Sequence, residues 1–128
     1  MIVADTNLIA YLLIPGDKNG EADAMLLRDP EWAVPLICRS EFRNILTLYM
    51  RRQQMSLSQA LATMERAEGL WRNREYSVPS ADVLELTSRF KVSAYDAEFV
   101  VLAKALGCPL MTYDGPVLHM FPDIAHKP

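Results

Sequence analysis

Four carboxylates in this chain stand where an ordinary α/β domain has little use for them. Asp5 closes the apolar run Met1-Ile2-Val3-Ala4, and Asp114 follows the apolar stretch that begins at Leu110. Glu41 sits in the middle of a helical stripe formed by Ile37, Ile45 and Leu48, and Asp96 begins a helix carrying Phe99, Val100, Ala103 and Leu106. An acid among apolar neighbours needs a partner, because desolvating its charge costs far more than one hydrophobic contact returns. Three of them have an ordinary explanation. Asp5 and Asp96 can cap helices, and Glu41 can pair with a nearby arginine or reach water at the edge of its stripe.

Taken together they point elsewhere. Carboxylates gathered within a few ångströms repel one another, so such a cluster takes up protons or holds a cation. An all-oxygen set without histidine or thiolate favours Mg²⁺ or Mn²⁺ over zinc or copper. An ion of that kind turns bound water into a nucleophile and steadies charge on a phosphoryl group, which makes a phosphodiester the natural substrate.

Rival chemistries lack their parts. Neither GxGxxG nor GxxxxGK[ST] is present, so the usual backbone cradles for nucleotides are missing. His119 and His126 fall in the last stretch with no serine or cysteine nucleophile at a strand-to-helix elbow. Cys38 and Cys108 match neither a zinc spacing nor a CxxC pair and read as small buried hydrophobes. A phosphate-accepting receiver switch would want paired acids at the first strand and a lysine on a late one, and neither is evident. The net charge of −3 argues against coating nucleic acid by bulk positive charge. Locally, Arg39, Arg43, Arg51 and Arg52 face only Glu41 as a nearby acid. They read either as a basic rim for a phosphate backbone or as a solvated helix face.

The elements that must position these acids follow from pattern. At 128 residues, about half of them hydrophobic and just under a quarter charged, one domain with one core is expected. Met1 to Ala4 reads as a buried strand running into a helix over Leu8 to Leu13, capped by Asp5-Thr6-Asn7. Glu21 to Leu27 reads as a short helix and Trp32 to Val34 as a strand. Pro35 suits the first turn of a helix reaching about Arg52. Ser56 and Gln59 have capping-box spacing for a second arm to about Trp71, carrying Leu57, Leu61, Met64, Ala67 and Glu68. Tyr76 to Val78 reads as a small strand, Ser80 as the cap of a helix through Phe90, and Ser93 with Asp96 as another capping box. The helix from Ala94 stops at Leu106 because Gly107 supplies a left-handed cap. Leu110 to Thr112 is the last expected strand, followed by a turn or helix start at Tyr113-Asp114-Gly115-Pro116. Short strands alternating with helices predict a parallel sheet with helices on both faces, and acids at strand carboxyl ends then share one crevice. No secretory pattern and no membrane-length apolar run is visible, so a cytoplasmic location without membrane association is expected.

These residues resemble a known family. Val3-Ala4-Asp5-Thr6-Asn7, Glu41-Phe42 with Asn44, Tyr95-Asp96-Ala97-Glu98 and Leu110-Met111-Thr112-Tyr113-Asp114 together resemble the signature of PIN-domain proteins, specifically the small toxin ribonucleases of bacterial toxin-antitoxin pairs. The order and spacing agree along nearly the whole chain. The resemblance implies a single PIN-like domain over residues 1–128 acting as an endoribonuclease. It implies a Mg²⁺ or Mn²⁺ site built by Asp5, Glu41, Asp96 and Asp114, with Thr6, Asn7 and Thr112 as supporting groups. It also implies an RNA substrate, a homodimer, and an antitoxin whose tail lies across the active-site groove, gripped by the helical hairpin from Pro35 to about Trp71. One departure stands out: many relatives carry a basic residue soon after the last aspartate, whereas this chain continues Gly115-Pro116-Val117. Asp114 is therefore either held differently here or contributes little to binding metal, and Glu98 is either an auxiliary ligand acting through water or a solvent-facing helix residue. The alternative is a nuclease-like domain that binds protein or RNA without catalysis.

Overall fold

The computed structural model describes residues 1–128. Five short strands form one sheet: β1 (Ile2–Ala4), β2 (Trp32–Pro35), β3 (Glu75–Tyr76), β4 (Leu110–Met111) and β5 (Ala125–His126), in the order β3-β2-β1-β4-β5. Every neighbouring pair is parallel, with Val3 opposite both Ala33 and Leu110. Parallel neighbours require crossovers, and helices supply them. These are α1 (Thr6–Leu13), α2 (Asn19–Arg28), α3 (Ile37–Arg51), α4 (Leu57–Leu70), α5 (Ser80–Arg89), α6 (Ala94–Leu106) and α7 (Gly115–Met120).

The strands β1 and β2 are wholly buried, as near-continuous apolar runs should be in a parallel sheet covered by helices. Helix α6 lies against β1, β2 and β4 and packs on α5, while α1 packs with α2, α3 and α4. One cluster of 30 buried hydrophobic residues runs through these layers, with Trp32, Trp71, Phe42 and Phe99 its largest members. The expected α/β architecture, a parallel sheet flanked by helices, is the one observed.

Several boundaries differ from the sequence expectation, each for a local reason. Asp5 itself is the cap of α1, so the helix begins at Thr6 and not at Leu8. Pro35 ends β2 in place of opening α3, because its backbone pairs in register with Tyr76. Pro79, in extended conformation, precedes α5, and Ser80 is its first residue, not its cap. The capping box at Ser56 and Gln59 forms in full, whereas at Ser93 only the serine half forms. Strand β3 falls at Glu75–Tyr76, just before the expected Tyr76 to Val78. Strand β5 has no counterpart in the sequence pattern. Cys38 is fully buried as expected, but Cys108 is only half-buried.

One ion-pair network ties the hairpin to the sheet edge. Arg39 on α3 grips Glu75 of β3 with two parallel bonds of 2.7 and 3.0 Å and reaches Glu68 of α4 at 2.6 Å. Such forked pairs hold geometry as well as charge. This arginine is therefore part of the scaffold and not of a free basic rim. Arg39→Met is expected to lower stability by about 1–2 kcal/mol, since half-exposed charged hydrogen bonds are partly screened. A urea titration checks it: the midpoint should fall with the slope unchanged.

Candidate active site

In the strand order, the chain turns outward in opposite directions from β1: β2 and β3 lie on one side, β4 and β5 on the other. The carboxyl ends of β1 and β4 meet at this switch point, where open parallel sheets form their ligand crevice. Asp5 leaves β1 here, and Thr112 and Asp114 leave β4.

Asp5 is held from three directions. Its Oδ1 accepts from the Thr6 backbone N–H at 2.7 Å, and its Oδ2 accepts from the Thr112 hydroxyl at 2.5 Å and from the Asn7 amide at 3.4 Å. Thr112 is fully buried, and its oxygen also accepts the Asp114 backbone N–H at 3.0 Å. One hydroxyl thus couples the two strand-end aspartates. Burial pushes the Asp5 carboxyl up from its ordinary 3.8 to about 6, against the bonds from Thr112 and Thr6, and the charges of Glu41 and Asp96 add to the rise.

Glu41 reaches the same place from α3. The buried stripe of that helix is Cys38, Phe42 and Leu46, while Ile37 and Ile45 are half-buried and Leu48 is exposed. Glu41 flanks this stripe, half-buried, and its Oε1 accepts the Thr6 hydroxyl at 2.6 Å. Its pKa is raised by burial and then by Asp96 and Glu98. The expected alternative of an arginine partner is not what holds it, since Arg39 is committed to Glu68 and Glu75.

Asp96 lies in the first turn of α6. Its backbone N–H donates to Ser93 Oγ at 3.0 Å, and the reciprocal bond of a capping box is not made, so the carboxylate is left without a capping hydrogen bond. Burial raises its pKa, and the charge of Asp114 raises it further. Asp114 is the N-cap of α7, with Oδ1 accepting from Val117 N–H at 2.9 Å. Glu98 is half-buried on the same turn as Asp96, and its carboxyl is raised by burial.

The four acids and Glu98 are thus linked by mutual repulsion, and none of the four forms a salt bridge. An unneutralised set of carboxylates is the donor chemistry that suits a hard divalent cation. At the same time, no three His, Cys, Asp or Glu side chains stand in a ligating array. The inner oxygens of Asp5 and Glu41 are turned to the Thr112 and Thr6 hydroxyls. The residues fit the ion by chemistry, with their orientation set by hydroxyl donors.

Residues 2–120 match the PIN domain family. The chain belongs to that family. A ribonuclease designated VapC3, from Pyrobaculum aerophilum, is 26% identical over 127 residues, covering 94% of this chain and 95% of its own. Among solved structures, FitAcB from Neisseria gonorrhoeae superposes with a TM-score of 0.75 at 22% identity, covering 100% of this chain and 97% of that one. A toxin-antitoxin complex from Klebsiella pneumoniae gives 0.71 at 17% identity, covering 98% and 97%. These two likenesses bear on the fold.

Asp5, Glu41, Asp96 and Asp114 stand near enough for the charge of one to act on another. Sequence reasoning did not find the neighbours of Tyr113: Tyr11, Lys18, Glu21 and Lys127. They come from segments far apart in the chain, so no local pattern signals them.

Proposed function

We propose that this PIN domain, spanning residues 1–128, is a Mg²⁺- or Mn²⁺-dependent endoribonuclease and the toxin of a toxin-antitoxin pair. The observation that carries the reading is the set of mutually repelling carboxylates at the sheet's switch point, none of them paired with a cation of the protein. Asp5, Glu41, Asp96 and Asp114 would hold the ion, with Glu98 contributing through water. When bound, a divalent ion supplies an activated water and neutralises charge growing on a phosphoryl group. The chain's own part is orientation: Thr112 and Asn7 fix Asp5, Thr6 fixes Glu41, and the α7 cap fixes Asp114.

The names of its relatives support the same reading: one is a ribonuclease, and a neighbour in fold is described as a toxin-antitoxin complex. The partners proposed with it are RNA, an antitoxin and a second copy of the chain. Leu57 and Leu61 on α4, 65% and 61% exposed, offer the hairpin arm an apolar surface for the antitoxin. No helix is long and apolar enough to cross a membrane.

Purified protein is expected to cleave single-stranded RNA in Mg²⁺ or Mn²⁺ and to stop in chelator. An RNA ladder unchanged across both metals would overturn the assignment. Metal should also stabilise the fold: at an ion concentration about 100 times Kd, linkage gives about 2.7 kcal/mol, read as a rise in Tm. One observation favours the second reading, a non-catalytic binding module: the carboxylates form no three-membered ligating array. That reading predicts no Tm rise with Mn²⁺ and RNA binding without turnover.

A further inference from the structure

Beside the acids, on the other flank of Asp114, stands a cluster that the carboxylate chemistry does not use. Tyr113 is its centre. Its ring meets the ring of Tyr11 edge to face, with centroids 5.0 Å apart, and its hydroxyl donates to Glu21 at 2.6 Å. The ammonium groups of Lys18 and Lys127 lie 5.2 and 5.9 Å from the ring centroid. Lys18 also stands 3.6 Å from Glu21, while Lys127 is exposed and enters no ion pair.

Topology explains why these groups meet. Lys127 follows β5, which runs parallel to β4, so it emerges at the same sheet end as Thr112 and Tyr113. Lys18 directly precedes α2, in the connection that returns from α1. The cluster is mechanically joined to Asp5: Asn7 accepts the Tyr113 backbone N–H at 3.4 Å through Oδ1 and donates to Asp5 through Nδ2. Glu21 and Tyr11 lock the ring, so little side-chain freedom remains to be lost when it is used as a platform.

Two lysines beside a fixed aromatic ring supply the chemistry of single-stranded nucleic acid recognition: cations for phosphates and a π surface for a base. A polyanion threading an acidic crevice is repelled by it, and it needs positive charge immediately outside. We propose that Tyr113, Lys18 and Lys127 form the subsite that seats the single-stranded RNA adjoining the scissile phosphate.

The proposal rests on the ribonuclease reading, and the test separates the two. A fluorescent single-stranded RNA is titrated against D5N protein in Mg²⁺ over a range of salt, so that binding is measured without cleavage. The double variant K18A/K127A should weaken binding about tenfold at low salt and flatten the log K against log salt slope by about 1.4, the value for two lost phosphate contacts on a single strand. K18R/K127R should restore both, and Y113F, which keeps the ring, should bind better than Y113A by about tenfold or more. Melting curves matched to the parent's confirm that the lysines act on RNA and not on the fold. Wild-type cleavage with the lysine variants binding as the parent does, at an unchanged slope, would overturn this subsite alone and leave the cluster to a protein partner. No cleavage by wild type and no RNA binding by D5N would overturn both readings.

Discussion

Asp5→Asn is expected to abolish RNA cleavage and, in the same protein, to raise thermal stability. If Asp5 holds the ion as proposed, its loss forfeits several kcal/mol of phosphoryl-charge stabilisation, which corresponds to a rate loss of about 10³-fold or more. The stability gain follows from the raised carboxyl. With a folded pKa of about 6 against an ordinary 3.8, Asp5 holds a proton in the folded state that the unfolded chain has released between those values. Stability therefore falls as pH rises through that window, and the penalty is complete above pH 6 in the absence of metal. D5N removes the penalty. It also loses the charged bond from Thr112, so the net gain at pH 7 is about 1–2 kcal/mol. Melting temperature against pH, in chelator, should slope downward from pH 4 to about pH 6 for wild type and be flatter for D5N. A variant that loses activity by unfolding would show the opposite stability change, so calorimetry beside the cleavage assay distinguishes the two. Cleavage by D5N equal to wild type would remove Asp5 from the site.

The parts of this site that sequence exposes are those fixed by local rules. Asp5 is legible because a buried strand must end in polar residues, and its cap geometry is encoded by its immediate neighbours. Asp96 is legible for the same reason at the start of an apolar helix. The sequence pattern sets Glu41 on the right helix but in the middle of a stripe that does not face the core. Ile37, Ile45 and Leu48 outweigh Cys38, Phe42 and Leu46 in hydrophobicity, yet the latter three face the core. Packing against the sheet decides which stripe turns inward, and propensity cannot see that contact. Strand β5 escaped notice because two residues ending in an exposed His126 carry no periodicity. Its effect is large, since it delivers Lys127 to Tyr113. The grip of Arg39 on Glu75 is equally long-range, which is why a residue that reads as basic rim turns out to be structural.

Thr112→Val should damage both stability and activity although it removes no charge. Valine keeps the shape but not the hydroxyl, and in this structure that hydroxyl donates to Asp5 while its oxygen accepts from the Asp114 N–H and, at 3.4 Å, from Asn7. Because Thr112 is fully buried, its lost partners are replaced by methyl groups and not by water. Leaving a polar group unsatisfied costs about 1–3 kcal/mol, which in a domain of this size lowers Tm by roughly 4–10 °C. Activity should fall by about 10–100-fold, the usual cost of losing an orienting partner behind a metal-binding acid. The Thr112 bond holds the Asp5 pKa down against burial, so in T112V the upper end of the pH window moves above 6. Stability in chelator should then continue to fall between pH 6 and pH 7, where wild type has already levelled off. Thr112→Ser keeps the hydroxyl and should restore both the pH profile and most of the rate. A T112V protein that matches wild type in Tm, in pH profile and in cleavage would mean that the two strand-end aspartates are not coupled through this side chain, and that Asp114 is positioned by its cap on α7 alone.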